Sequence, residues 1–462
     1  MTAFGIILIL GGLLPLLALA RWRPSSLRRP TWWAGLLYLL QLGIAAAWIP
    51  SEIESPLVSG SVAIESRIPE QAARLATVSF PACLCLWIVL TPMLDPRPRR
   101  TDPEPADGER PATAEVLLLA AALSLVGLGV LSLLSAVSLT DTGLWALLTD
   151  PASTVERREA TFKLLPSGLV KTIYGHATTV GMPLSVALLV SRRWLSPPAL
   201  DASLRTGLVA LILLAGSLSG ARSPAAQLLI LAGLVVFIVG PPTPRLGRMM
   251  AIGGVSLGIV LLLTVVIASA QSTAALTDRV ASLAFWVGRR AFSVPFQTGL
   301  WHLQYVAEHG SWSFDGIYLP LRTAFGGEYA DPGAMVGRWY AREILGRSDL
   351  STTMNTSDLF TMMSATSLGV GLVFSAGLLC LADLLATVAR RATGTIGVAM
   401  TAILVWLAAR SANSYFTGGL MSWLEIAALS LMAMTIGAAI DRARRGPRTT
   451  VRPAGPPESP ER

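Results

Sequence analysis

Two sets of arginines stand where a very apolar chain has little reason to carry them. Arg289 and Arg290 lie in "AFWVGRRAFSVPF", and Arg338 and Arg342 lie in "DPGAMVGRWYAREILGR". The second stretch predicts a short helix: Asp331 is a good N-cap, Pro332 suits the first helical position and Gly346 ends it. Arg338 and Arg342 are then i,i+4 neighbours on one face, where like charges repel by a few tenths of a kcal/mol. Neither has a carboxylate three or four residues away, and Glu343 is expected to pair with Arg347. Uncompensated planar guanidiniums await an anion, and their forked donors suit phosphate; a solvated basic face is the alternative. Arg289 and Arg290 are followed by Pro295, which kinks or ends a helix. Adjacent helical residues point about 100° apart, so one of the two, Arg290 by preference, faces a shared site.

Other residues could handle charge or protons. Arg222 sits in "SLSGARSP", a polar turn between two apolar runs, the first of them (206–219) unusually short. Broken helices around a membrane-depth site take this form, as does a plain loop with a snorkelling arginine. Glu425 lies inside the last apolar run, and an intramembrane carboxylate is a functional candidate by default, with Arg410 as its expected partner. The acid–base candidates are His302, Glu328 (in the glycine-rich "FGGEYADP") and Asp331, together with His176, His309 and Asp315. The capping reading of Asp331 competes with a catalytic one.

The elements that must position these residues follow from composition. The chain has 462 residues, 53% hydrophobic and 14% charged, against roughly a quarter charged in a soluble protein. Its apolar runs have the length needed to cross a bilayer core. The expected fold is all-α: a polytopic membrane protein of about eleven transmembrane helices, near 3–20, 32–50, 74–94, 114–138, 170–190, 206–219, 224–240, 249–270, 362–386, 395–410 and 418–440. More than half of the basic residues fall in short segments on one side, so the positive-inside rule predicts an external N-terminus and a cytoplasmic C-terminus. This divides the chain into a bundle of helices one to eight (1–270), a large external loop of short amphipathic helices (271–361), helices nine to eleven (362–440) and a disordered basic cytoplasmic tail (441–462). The net charge of +8 reflects topology, and nucleic acid is not an expected partner. Cys83, Cys85 and Cys380 fall in predicted spans and read as packing residues. No H-E-x-x-H, Walker loop, G-x-S-x-G or paired Cys/His metal cluster is present, so no metal or other cofactor is expected.

With these residues in view, "GRRAFSVPFQTGLWHLQY" resembles a stretch of the bacterial O-antigen polymerases, the oligosaccharide repeat-unit polymerases. The order also resembles theirs: arginine pair, large external loop, "VGRWYA", then "NTSDLFTMMSATSLGVGLVFSAGLLCLAD" with Asn355, Asp358, Gly369 and Gly371. "SGARSP" is similar to the family's upstream arginine turn, and the resemblance covers roughly residues 206–390. It implies a glycosyltransferase of the cytoplasmic (inner) membrane. The donor would be a polyprenyl-diphosphate-linked oligosaccharide, and a sugar hydroxyl on a second lipid-linked unit would attack its anomeric carbon. Charge building on the diphosphate leaving group would be held by Arg222, Arg289, Arg290, Arg338, Arg342 and Arg410, with Asn355 and Glu425 also toward substrate. Glu328, His302 or Asp331 would take the acceptor proton, and a chain-length regulator is a further expected partner. The related O-antigen ligases carry a histidine followed by asparagine in the external loop; "AEHGSW" lacks the asparagine. A lipid-linked-sugar flippase or other secondary transporter is the runner-up, and a ligase-type transferase a further alternative.

Overall fold

The structure is a computed structural model. It describes residues 29–38, 112–150, 168–192, 197–219, 222–239, 294–310, 332–344, 358–391, 394–411 and 416–445, with a few isolated positions between them. The elements among these residues are helical, without a strand. They are α1 (Pro30–Tyr38), α2 (Thr113–Ala136), α3 (Gly143–Thr149), α4 (Leu169–His176), α5 (Met182–Ser191), α6 (Pro198–Ser217), α7 (Arg222–Val239), α8 (Val294–His309), α9 (Pro332–Trp339), α10 (Asp358–Ala365), α11 (Leu368–Arg391), α12 (Thr395–Arg410) and α13 (Phe416–Arg445). Among the described residues five stretches are long and apolar enough to cross a membrane: Thr113–Ala136, Leu169–Ser191, Pro198–Ser217, Gly369–Arg390 and Ser422–Arg444. These mark a multi-pass membrane protein.

The bundle is built around α12. Its sequence, TIGVAMTAILVWLAAR, is apolar on every side, and residues 395–409 are buried almost throughout. A helix with no polar face must be enclosed. Helices α1, α5, α7, α11 and α13 surround it, and small residues such as Gly397, Ala399 and Ala402 let their backbones come close. On α13, the Trp423 indole N–H donates to the Met400 carbonyl at 3.2 Å. The outer helices expose leucine and valine instead: Leu128 and Leu131 on α2, Leu211 and Leu214 on α6, Val373 and Val388 on α11, Leu431 on α13. Contiguous apolar surface on this scale suits lipid rather than water.

One end of the bundle is tied together at Glu115, in the first turn of α2 and buried. Its carboxylate accepts from Arg192 Nη1 at 2.6 Å, from the Thr395 backbone N–H at 3.0 Å and from the Ala112 N–H at 3.2 Å. The exit of α5 and the start of α12 thereby meet on α2. At the same end, Thr113 Oγ1 donates to Asp441 on α13 at 2.6 Å. A side chain on Gly437 would come within 2.7 Å of the Ala114 backbone, so glycine is what lets α13 lie against α2.

Helices α4 and α5 form one rod interrupted by a π turn, Ala177–Gly181. Pro183 stands at the start of α5; it offers no N–H, and its ring would strike the carbonyl four residues back in a regular helix. Opening the turn relieves that clash.

Three boundaries differ from the expected ones. The sixth run is not short: α6 starts at Pro198. Asp201 and Arg205, whose charges suggested a loop, are absorbed by the helix. Asp201 Oδ1 accepts the N–H groups of Trp194 and Leu195 at 2.7 and 2.9 Å. Its Oδ2 lies 2.7 Å from Arg205 Nε, close but not aligned for a hydrogen bond. The ninth run is broken between α10 and α11, where Gly371 brings α11 against the Met363 backbone. The last helix continues to Arg445, so residues 441–445, expected in a disordered tail, are helical. The expected spans near 74–94 and 249–270 and most of the loop near 311–331 lie outside the described residues.

Candidate functional site

Two arrangements at the end of the bundle opposite Glu115 hold chemically capable groups. The first is made by α8, α9 and α10. Helix α8 is anchored by Thr298, Leu300, Trp301 and His302, all buried. Gly299 admits the Phe360 ring of α10 so closely that any side chain there would collide with it. Leu300, Leu359 and Phe360 share one core with Leu231 of α7 and Leu404 of α12. These parts of the expected loop and its exit therefore pack onto the bundle.

Helix α9 turns a buried face, with Val336, Trp339 and Tyr340, toward α8. Trp301 meets Trp339 at a centroid distance of 6.0 Å and Tyr340 at 5.0 Å. Among the described residues the Tyr340 hydroxyl has no hydrogen-bond partner, and burial pushes its pKa up to about 12. The opposite face carries Arg338, Arg342 and Glu343, all exposed. From Tyr340 to Ile344 the helix is of π type. A π turn winds less per residue than an α turn, so Arg338 and Arg342 are not in the regular i,i+4 relation expected of them. Both nevertheless point outward, and among the described residues neither has an ion-pair partner. Gly346 has φ +63°, which suits the end of this helix.

Beside Trp339, the exposed end of α8 carries Tyr305 and His309, stacked at 4.4 Å with their planes 11° apart. Trp339 stands edge-on to both, at 5.6 and 6.2 Å. His309 Nδ1 lies 3.0 Å from the Tyr305 carbonyl oxygen. That oxygen can only accept, so Nδ1 carries the proton and the neutral ring keeps its lone pair on Nε2. His302, by contrast, is fully enclosed, with 0% of its surface exposed.

The second arrangement was not foreseen as a pair. His176 Nδ1 on α4 lies 3.1 Å from Glu425 Oε2 on α13, both side chains nearly half exposed. Arg410, the partner expected for Glu425, sits at the end of α12 with its guanidinium 5.0 Å from the Trp406 ring centre, a cation–π contact. Arg222 is the first residue of α7 rather than the tip of a loop. The preceding turn is held by the Leu144 N–H, which donates to the Leu218 carbonyl at 3.2 Å, and by a hydrogen bond between Tyr174 and Ser219. Glu328, Asp331, Arg289, Arg290 and Asn355 lie outside the described residues.

Among the described residues no group of three or more His, Cys, Asp or Glu side chains is placed to hold a metal ion. No family model matches the chain, and no curated protein or solved structure matches it.

Proposed function

We propose that the chain is a membrane glycosyltransferase that joins polyprenyl-diphosphate-linked oligosaccharide repeat units on the outer face of the cytoplasmic membrane. In this reading the full chain crosses about eleven times, with its N-terminus outside and C-terminus inside, and the end of the bundle bearing Arg338, Arg342 and His309 faces outward. A sugar hydroxyl on one lipid-linked unit attacks the anomeric carbon of another, and the lipid diphosphate leaves with the bonding electrons.

The observation that carries the reading is the pair Arg338 and Arg342. Both are exposed and without an ion-pair partner among the described residues, on a helix whose other face is clamped by Trp301, Trp339 and Tyr340. A rigid mount holding guanidiniums outward is what preoriented stabilisation of a departing diphosphate requires. Arg222, Arg289, Arg290 and Arg410 are the further cationic candidates, and Asn355 and Glu425 the polar ones, for lipid-linked substrate. For the acceptor proton, the exposed His309 is better placed than the enclosed His302; Glu328 and Asp331 remain candidates from sequence.

The test is the deletion strain complemented with Arg338→Ala, Arg342→Ala, Arg222→Ala or Arg290→Ala at matched protein levels. Loss of one transition-state donor costs about 10²–10³ in rate, so polymer should collapse to single lipid-linked units on the outer face. Normal chain lengths in all four variants would refute the mechanism. Units retained on the cytoplasmic face would point to a transporter instead.

A further inference from the structure

Helix α3, GLWALLT, is apolar on every side, yet among the described residues only one side is enclosed. The helix is set up locally. The buried Thr142 caps it, its Oγ1 accepting from the Trp145 N–H at 3.3 Å and donating to the Leu139 carbonyl at 2.7 Å. The inner side is seated on the end of the bundle opposite Glu115. Gly143 and Ala146 are buried there, and Leu144 packs on Leu133, Val137, Tyr174 and Leu218. The Leu144 N–H donates to the Leu218 carbonyl at 3.2 Å, which ties α3 to the end of α6. The outer side carries Trp145 and Leu148, 41% and 72% exposed. At the same end, Leu139 in the 3-10 turn before α3 and Leu169 at the start of α4 are exposed as well.

A helix without a polar face has to be enclosed, and a tryptophan grouped with leucines on a surface marks a contact rather than chance exposure. What adjoins the patch identifies the contact. The exposed Leu128, Leu131 and Leu134 of α2 and Leu211 and Leu214 of α6 belong to stretches that cross a membrane. Helix α3 stands where both of these helices end, so its outer side continues their lipid-facing surface. Charges of both signs are present at this end: Lys171 is exposed in the first turn of α4, and Asp141 pairs with Arg157 at 2.8 Å, both about half exposed. Leucines, a tryptophan and surface charges in one region match the boundary between acyl chains and headgroups, where an indole puts its apolar body on one side and its N–H toward the other. A helix of seven residues rises only about 10 Å, so α3 cannot cross the bilayer and can only rest at its edge.

We infer that α3 is an interfacial helix whose Trp145–Leu148 side lies in the phospholipid leaflet at the end of the bundle opposite Glu115, at the boundary of headgroups and acyl chains, with Leu139 and Leu169 inserted beside it. The partner is the leaflet itself, and the contact sets the depth at which this end of the bundle sits. It holds whether or not the chain transfers sugars.

The experiment uses the full chain carrying Cys83→Ala, Cys85→Ala and Cys380→Ala, in vesicles of phosphatidylethanolamine and phosphatidylglycerol. Nitroxide labels on Trp145→Cys and Leu148→Cys are read by power saturation against oxygen, which concentrates in lipid, and against a nickel chelate, which stays in water. Phospholipids labelled at known acyl positions calibrate the depth. Both labels should lie about 5–10 Å below the phosphates, and a label on Leu131→Cys of α2 should lie deeper. Free access of nickel to both labels, as in water, overturns the proposal. Shielding of both from oxygen and nickel alike overturns it too, since another part of the chain or a second copy then covers α3. If a labelled chain fails to fold, Leu139→Cys and Leu169→Cys replace it, with the same depth expected and the same results overturning it.

Discussion

Replacing Glu115 with alanine should be among the most damaging single changes available in the described part of the chain. The side chain is 6% exposed and its partner Arg192 17%, so water offers little compensation. Three contacts go at once: the ion pair at 2.6 Å, the Thr395 N–H at 3.0 Å and the Ala112 N–H at 3.2 Å. Breaking a buried ion pair from one side costs about 3–5 kcal/mol, and a buried N–H left without an acceptor costs about 1–3 kcal/mol. These terms overlap because relaxation serves both, so about 4 kcal/mol is the expected loss, close to a thousandfold in the folded-to-unfolded ratio. The assay is denaturant or thermal unfolding of the purified chain in detergent micelles, followed by tryptophan fluorescence. Glu115→Gln, which keeps an acceptor but not the charge, should fall between wild type and alanine. Arg192→Ala in the Glu115→Ala background should add far less than it does alone, with a coupling above about 1 kcal/mol. A loss below about 1 kcal/mol in Glu115→Ala, or strict additivity in the double variant, would show that this corner does not hold α2, α5 and α12 together.

Other sites give sharper signs than sizes. Gly394→Ala should destabilise, because residue 394 has φ +78° and an added Cβ would sit 3.0 Å from the Glu115 carboxylate; the cost is about 1–2 kcal/mol, read in the same assay. Gly437→Leu should separate α13 from α2, since even a Cβ meets the Ala114 backbone at 2.7 Å, and cross-linking between cysteines placed at 113 and 441 should fall with it. Tyr340→Phe should be neutral or slightly stabilising at pH 7, because the buried hydroxyl it removes makes no hydrogen bond among the described residues. At high pH the difference should grow. The folded-state pKa is pushed up to about 12 from 10.0, so the stability this group contributes is complete below about pH 10 and lost as pH rises toward 12, up to about 3 kcal/mol. Unfolding midpoints from pH 8 to 12 should therefore fall more steeply for wild type than for Tyr340→Phe, and parallel curves would contradict the burial argument.

What could be read from sequence divides by the range of the physics involved. Helix α12 was placed at 395–410 and found there, because an uninterrupted apolar run with Gly394 before it and Arg410 at its end is a local signal. The start of α6 was missed for the opposite reason. Asp201 and Arg205 look like loop charges until a fold supplies the N–H groups of Trp194 and Leu195 and places the two side chains one turn apart. The grouping of Arg338 and Arg342 on one face is likewise a local inference, from the polarity of one short helix, and both side chains are exposed. The π turn that alters their spacing carries no comparable sequence signal. Glu425 was singled out as a lone intramembrane carboxylate, yet the partner the fold gives it is a histidine from another helix rather than the nearby Arg410. A short-range rule can say that a carboxylate within an apolar run needs a partner; only the packing of α4 and α13 on α2 says which one. Contacts of that kind, Glu115 with Arg192 and His176 with Glu425, join residues far apart in the sequence, so a search by local motif alone passes over both.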